Sequence, residues 1–172
     1  MNEFMWWATV LTYWVVVALC FAAFSVERQW RRSWGILTAV FAIFAFNKQH
    51  DLSGVVTRFF RRAAVQEHWY GYRRIFQTIV LLGIISVGLT VFFVLEKWAR
   101  RARWSVHQRS VLGIAIYLFG FATARAVSLH AIDSLLYRDI GGMKLNWVFE
   151  LGGLLLGGGF IAASIIQWRR AR

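Results

Sequence analysis

Proline is absent from the 172 residues, cysteine occurs once, and only eight residues are acidic. The single cysteine excludes a disulfide scaffold. Without proline there is no proline-rich linker, and no repeat or low-complexity tract divides the chain. Charged residues make up 16%, well under the roughly 25% of an ordinary soluble domain. The common catalytic signatures are missing too. There is no P-loop, no nucleophile elbow, no HExxH or CxxC element, and no lipidation motif.

What is present is apolar and basic. Hydrophobic residues are 59% and aromatics 17%, with ten Trp and fifteen Phe. Twenty Lys and Arg outweigh the acids to give a net charge of +12. A basic chain suggests nucleic acid, but these residues sit in short clusters between long apolar runs, so nucleic acid is not expected as a partner. The composition indicates an integral membrane protein, and the length a single domain over 1–172.

A membrane-crossing helix needs about 20 apolar residues. Five stretches qualify as spans, at about 4–26, 33–50, 75–95, 110–134 and 146–168. The first is too long and aromatic for a typical cleaved signal peptide. The second has only fifteen residues between Arg32 and Lys48, so it must borrow polar residues from Asn47 to Asp51. Between the second and third, Leu52, Val55, Val56, Phe59, Phe60 and Ala63 fall on one helical face. Arg58, Arg61 and Arg62 fall on the other. That pattern predicts an interfacial amphipathic helix over about 52–66. The fold class expected is therefore all-α: a bundle of five transmembrane helices plus one interfacial helix.

Basic residues orient such a bundle. Arg28, Arg31 and Arg32, then Lys97, Arg100, Arg101, Arg103 and Arg109, then Arg169, Arg170 and Arg172 fall on one side. These eleven of the twenty predict a cytoplasmic face, with the N-terminus outside, the C-terminus cytoplasmic, and the inner membrane of a bacterial cell as location. Six basic residues between Lys48 and Arg74 run against the trend without reversing it. Trp30, Trp34, Trp98, Trp104 and Trp168 fall at the inner boundary. Trp6, Trp7, Trp69, Tyr70, Tyr72, Tyr137 and Trp147 fall at the outer one, as interfacial anchors do. In the fifth span Gly152, Gly153, Gly157, Gly158 and Gly159 offer a small-residue face for another helix, in this chain or in another protein subunit.

The polar residues that interrupt apolar sequence gather near the outer face. They are Asn47, Lys48, Gln49, His50 and Asp51; Glu67, His68, Trp69, Tyr70, Arg73, Arg74 and Gln77; Arg125, Ser128, His130 and Asp133; and Asn146 and Glu150. Arg125 lies deepest, about 12 Å of helix rise from Asp133. Ionisable residues inside a span cost about 2.5–3.5 kcal/mol each and normally point inward and pair. His130 and Asp133 share a helix face, as do Asn146 and Glu150. A pocket is expected between spans two, four and five, gathering Lys48, Asp51, Arg125, His130, Asp133 and Glu150.

Three chemistries suit it. His130, Asp133 and Glu150 are ligand types for a divalent metal. His130 oriented by Asp133, with Glu150 and Asp51 as further carboxylates, suits acid–base catalysis, while Arg125, Lys48, Arg73 and Arg74 would hold an anionic group. Haem, held by His130 and His50 or His68, ranks below these. Against all three stands a packing role, in which ion pairs simply lock short helices together. Cys20 reads as packing and His107 as a solvated loop residue. Two functions follow: a protein binding or processing an anionic, lipid-linked group among its membrane lipids, or an accessory subunit of a larger respiratory or photosynthetic membrane complex, with or without a bound cofactor.

The strings Asn47-Lys48-Gln49-x-Asp51, Trp69-Tyr70-x-x-Arg73-Arg74-x-x-Gln77, Arg125-Ala126-x-Ser128-x-His130-x-x-Asp133 and Asn146-Trp147-x-x-Glu150-Leu151-Gly152-Gly153 resemble a family of small uncharacterised bacterial multi-pass membrane proteins. The likeness covers most of Asn47 to Gly153. It departs at His50, where that family has Leu, and at Ala131, where it has a second His. The resemblance implies the same site residues and no reaction type.

Overall fold

The computed structural model describes residues 3–51, 54, 73–127, 139–140 and 143–171. The expected interfacial helix over 52–66 and the end of the fourth span, 128–134, lie outside the described residues. The fold is all-α. Helix α1 is Glu3–Val26, α2 is Arg31–His50, α3 is Arg73–Arg101, α4 is Val106–Val127 and α5 is Leu145–Arg170. A two-residue antiparallel pair, Asp139–Ile140 with Met143–Lys144, precedes α5.

The helix ends follow from local chemistry. A single 3-10 turn, Arg28–Trp30, joins α1 to α2. As its sequence required, α2 runs on through the polar residues to His50. It stops where Asp51 enters the left-handed region (φ 47°) and donates its backbone N–H to Asn47 O. Asp tolerates that conformation better than most residues. Helix α3 extends past the expected boundary and absorbs much of the basic loop. It ends at Arg103 (φ 55°), where Trp104 N–H reaches Ala99 O (2.9 Å) and Arg103 N–H reaches Arg100 O (3.0 Å). These bonds form a Schellman stop. Two residues later Ser105 starts α4 with a capping box. Gln108 N–H donates to Ser105 Oγ (3.3 Å), and Ser105 N–H donates to Gln108 Oε1 (3.0 Å). His107 is thus on the first turn of α4, half-buried and 6.5 Å from the Phe160 ring, not in a solvated loop.

Contacts fix the helix directions. Helices α1 and α5 run parallel, because Tyr13 meets Glu150 and Glu27 meets Ser164. Helices α4 and α5 run antiparallel, with Leu118 beside Gly153 and Ile114 beside Gly157. Glu96 pairs with Arg109 across the short turn from α3 to α4. Helix α2 returns along α1, since Trp34 meets Glu27 and Gln49 meets Trp14. Consecutive helices therefore alternate in direction from α1 to α5.

The core is a narrow seam among α1, α2, α4 and α5. Tyr13, Val16, Cys20 and Ala23 of α1 face Trp34, Leu37, Phe41 and Ala45 of α2. Buried positions in α5 include Glu150, Gly153, Leu154, Gly157, Ile161 and Ser164, a spacing of three and four suited to nearly aligned helices. The opposite faces are apolar as well. Phe4, Leu11, Ile43, Ile79 and Leu155 are each more than 60% exposed. Among the described residues, α1 and α5 are long and apolar enough to cross a membrane, with mean hydropathies of 2.1 and 1.8. Helix α2 falls short because its uncharged stretch is only fifteen residues.

One expectation needs correction. Trp34, Trp104 and Trp147 are buried rather than interfacial, whereas Trp7 and Trp98 are exposed. Indole burial follows here from packing and, for Trp34, from a buried acceptor. The small-residue face of α5 is largely occupied by this chain. Gly153 abuts Tyr117 and Leu118, Gly157 abuts Ile114, and Gly158 abuts Leu19, while Gly152 and Gly159 have open space. A Cβ on Gly153 would lie 3.0 Å from Tyr117 Cε1. Gly153→Val should destabilise the purified chain by about 1–3 kcal/mol in thermal unfolding. Gly152→Ala should be neutral or up to about 1 kcal/mol stabilising, because helix propensity alone changes there.

Candidate functional site: two buried carboxylates at opposite ends of the bundle

Glu150 sits in the first turns of α5, on the seam, and is almost fully buried. Lys48, in the last turn of α2, reaches both of its oxygens, at 3.0 Å to Oε1 and 2.8 Å to Oε2. From α1 the Tyr13 hydroxyl donates to Glu150 Oε1 at 3.2 Å. Three helices thus meet on one carboxylate. Bringing two charges out of water is expensive, and the pair offsets that cost only with good geometry and further hydrogen bonds. Both conditions are met, since the ammonium spans both oxygens and the phenol adds a donor.

Asn146 precedes Glu150 by one turn on the same face, as its spacing predicts. It is 2% exposed, and its side-chain carbonyl has no hydrogen-bond partner among the described residues. Such a buried acceptor costs about 1–3 kcal/mol unless something donates to it. Gln49 accepts a hydrogen bond from Trp14 Nε1 at 3.3 Å. Asn47 is half-buried on the same turn as Lys48. Asp51 is exposed, and its carboxylate lies against Gly54, where an added Cβ would collide with it.

The remaining sequence candidates divide in two. Arg73, Arg74 and Gln77 occupy the first turns of α3, and Arg125 the last turn of α4. Given the alternating directions, those turns are at the Glu150 end. His130, Asp133, Ser128, Trp69 and Tyr70, with Glu67 and His68, lie outside the described residues. His50 is exposed and packs its ring on Phe46, 4.3 Å between centroids. Of the six residues expected to share a pocket, the structure joins Lys48 and Glu150 directly.

Among the described residues no three of His, Cys, Asp or Glu converge as a metal ion would require. Glu150 instead faces an ammonium and a phenol. The candidates His130 and Asp133 are beyond the described residues. No protein-family model, no curated protein and no solved structure matches the chain.

At the opposite end is a carboxylate that the sequence reading passed over. Glu27 follows α1 and is 1% exposed. Trp34 Nε1 donates to its Oε2 at 2.7 Å, and the Ser164 hydroxyl donates to its Oε1 at 2.7 Å. Each oxygen has one donor, from α2 and α5 respectively. Beside Arg28, Arg31 and Arg32 it has the sequence surroundings of an ordinary loop acid. The signal that could have found it is Trp34 seven residues on, which brings an indole N–H back to the turn.

Three outcomes are expected. Lys48→Met alone leaves Glu150 buried without its cation and should cost about 3–5 kcal/mol. Lys48→Met combined with Glu150→Gln should recover most of that, as read by a double-mutant cycle in chemical unfolding. Trp34→Phe keeps the ring and removes one donor to Glu27. It should cost about 1–3 kcal/mol in the same assay.

Proposed function

We propose that the chain is an integral membrane protein of five spans, and that its Glu150 end binds or processes an anionic, lipid-linked group at the outer face. The arrangement at Glu150 carries the reading. A buried ion pair assembled from three helices lies one turn from a buried amide whose carbonyl has no partner among the described residues. Arg73 and Arg74, opening α3, and Arg125, closing α4, are at the same end of the bundle. A ligand with a phosphate or carboxylate for the arginines and a hydroxyl for Asn146 would suit that set.

Several observations support the membrane location. Apolar side chains cover the outward faces, and α1 and α5 are long enough to cross. Alternating helix directions are those of a chain crossing five times. The sequence from Ile75 to Leu95 carries no charge. Hydroxyls on the helices bond back to carbonyls one turn earlier, as at Thr9, Thr12, Thr38 and Thr123. That pattern satisfies these four hydroxyls in an apolar medium. The basic clusters collect at the Glu27 end, which would then be cytoplasmic.

In this reading His130 is the acid–base group or a ligand, and Asp133 orients it. The test is to extract the purified protein and identify co-purifying anionic lipids by mass spectrometry. The wild-type chain should retain one class. His130→Ala should keep that class bound while abolishing any conversion of it. The double variant Arg73→Gln, Arg74→Gln should release it. A wild-type preparation that carries only bulk membrane lipid in bulk proportions rejects the proposal.

One observation favours a second reading, an accessory subunit of a larger membrane complex. Gly152, Leu155, Leu156 and Gly159 form an outward stripe on α5, with open space at both glycines. Stable co-purification with defined subunits, lost on Gly159→Leu, would support it.

A further inference from the structure

We propose that the groove between α3 and α4 at the basic end of the bundle is a binding site for one anionic phospholipid. The proposal rests on the membrane-spanning reading above, but not on the site at Glu150.

The groove is lined by Phe92, Glu96, Val106, Arg109, Ser110 and Gly113. Its floor is apolar, and Gly113 keeps it open. The nearest atom that a Cβ there would meet is Phe92 Cε2, at 3.8 Å. Its rim is polar. Arg109 gives Nη1 to Glu96 Oε1 at 3.2 Å, while its Nε is buried without a partner among the described residues. Glu96 is already shared, since the same oxygen accepts Arg100 Nε at 2.8 Å. The rim thus sets two guanidiniums, Arg100 and Arg109, against one carboxylate and keeps a net positive charge after its internal pairs are made.

The site is also held in shape before anything binds. The Schellman stop at Arg103 and the capping box at Ser105 fix the angle between α3 and α4 within four residues. Among the described residues helix α3 packs chiefly on α4, which leaves the groove on the outward side of that pair. Charge complementarity selects the occupant. An acyl chain covers Phe92, Val106 and Gly113, and a phosphate meets Arg109 and the rim cations. Basic pockets between helices on the cytoplasmic side recognise anionic headgroups in this way. A zwitterionic headgroup of the same chain length lacks the net charge.

Native mass spectrometry of the purified chain, titrated with phosphatidylglycerol or with phosphatidylcholine of identical acyl chains, decides the matter. Wild type should bind one phosphatidylglycerol in clear preference to phosphatidylcholine. Arg109→Gln should weaken that binding about fivefold, the loss of one cation at the surface. Arg109→Lys should keep most of it. Gly113→Leu, which fills the floor, should weaken it without changing charge, and Arg169→Gln, away from the groove, should leave it unchanged. Equal binding of the two lipids by wild type overturns the proposal without any variant. So does displacement by soluble glycerol phosphate, which would mean that the rim takes a free phosphate. If instead alkaline carbonate strips the chain from membranes, the membrane reading itself has failed.

Discussion

Two hydrogen-bonded carboxylates hold α1 and α5 in one register, and the rest of the bundle follows from that. Tyr13 reaches Glu150 and Ser164 reaches Glu27, so both links carry the same sequence offset of 137. Parallel helices with two such links cannot slide without orphaning a buried carboxylate at each end. The links are fourteen residues apart, about 21 Å of helix rise. Between them the contact is apolar and small. Leu19 lies over Gly158, and Val16, Cys20 and Ala23 fill the seam. Apolar packing alone would tolerate a shift of one turn, but the polar ends would not.

With α1 and α5 fixed, α2 and α4 have little freedom. Helix α2 carries a partner for each carboxylate, Trp34 for Glu27 and Lys48 for Glu150. These partners are fourteen residues apart as well, so α2 lies antiparallel along α1 in matching register. Helix α4 is seated by the glycines of α5, with Leu118 at Gly153 and Ile114 at Gly157. Among the described contacts, those of α3 involve neither carboxylate. It is tied to α4 by Glu96, Arg109 and the short turn, which leaves the lateral groove.

How much of this was legible in the sequence depended on the range of the signal. Helix positions were, because uncharged runs and polar clusters are local. So was the turn of α2 through Asn47 and Lys48, forced by its short apolar stretch. The shared face of Asn146 and Glu150 followed from their spacing, and Lys48 and Glu150 were expected in one pocket. Tyr13 was not legible, because a phenol inside a charge-free run looks like packing until its partner is known. Glu27 was not legible either, because its burial depends on Ser164, at the far end of the chain. Trp34 was misassigned because an indole suits an interface and a buried hydrogen bond equally well, and Trp147 because it suits a packed core as well. The glycines announced a close helix approach, but not that α4 of the same chain would fill it.

The two ends of the bundle differ in a way that bears on where function resides. At the Glu27 end the connections are short and locally capped, one 3-10 turn between α1 and α2 and four residues between α3 and α4. At the Glu150 end the carboxylate instead meets an ammonium and a phenol, and the sequence carries His130, Asp133, Trp69 and Tyr70 in stretches outside the described residues. The ion pair refines their proposed role. Lys48 already spans both oxygens of Glu150, so its charge is neutralised within the protein and adds little attraction for an anion. In the proposed reading that task would fall to Arg73, Arg74 and Arg125. Glu150 and Lys48 would then form the floor of the site, and removing either would be felt as lost stability before it was felt as lost affinity.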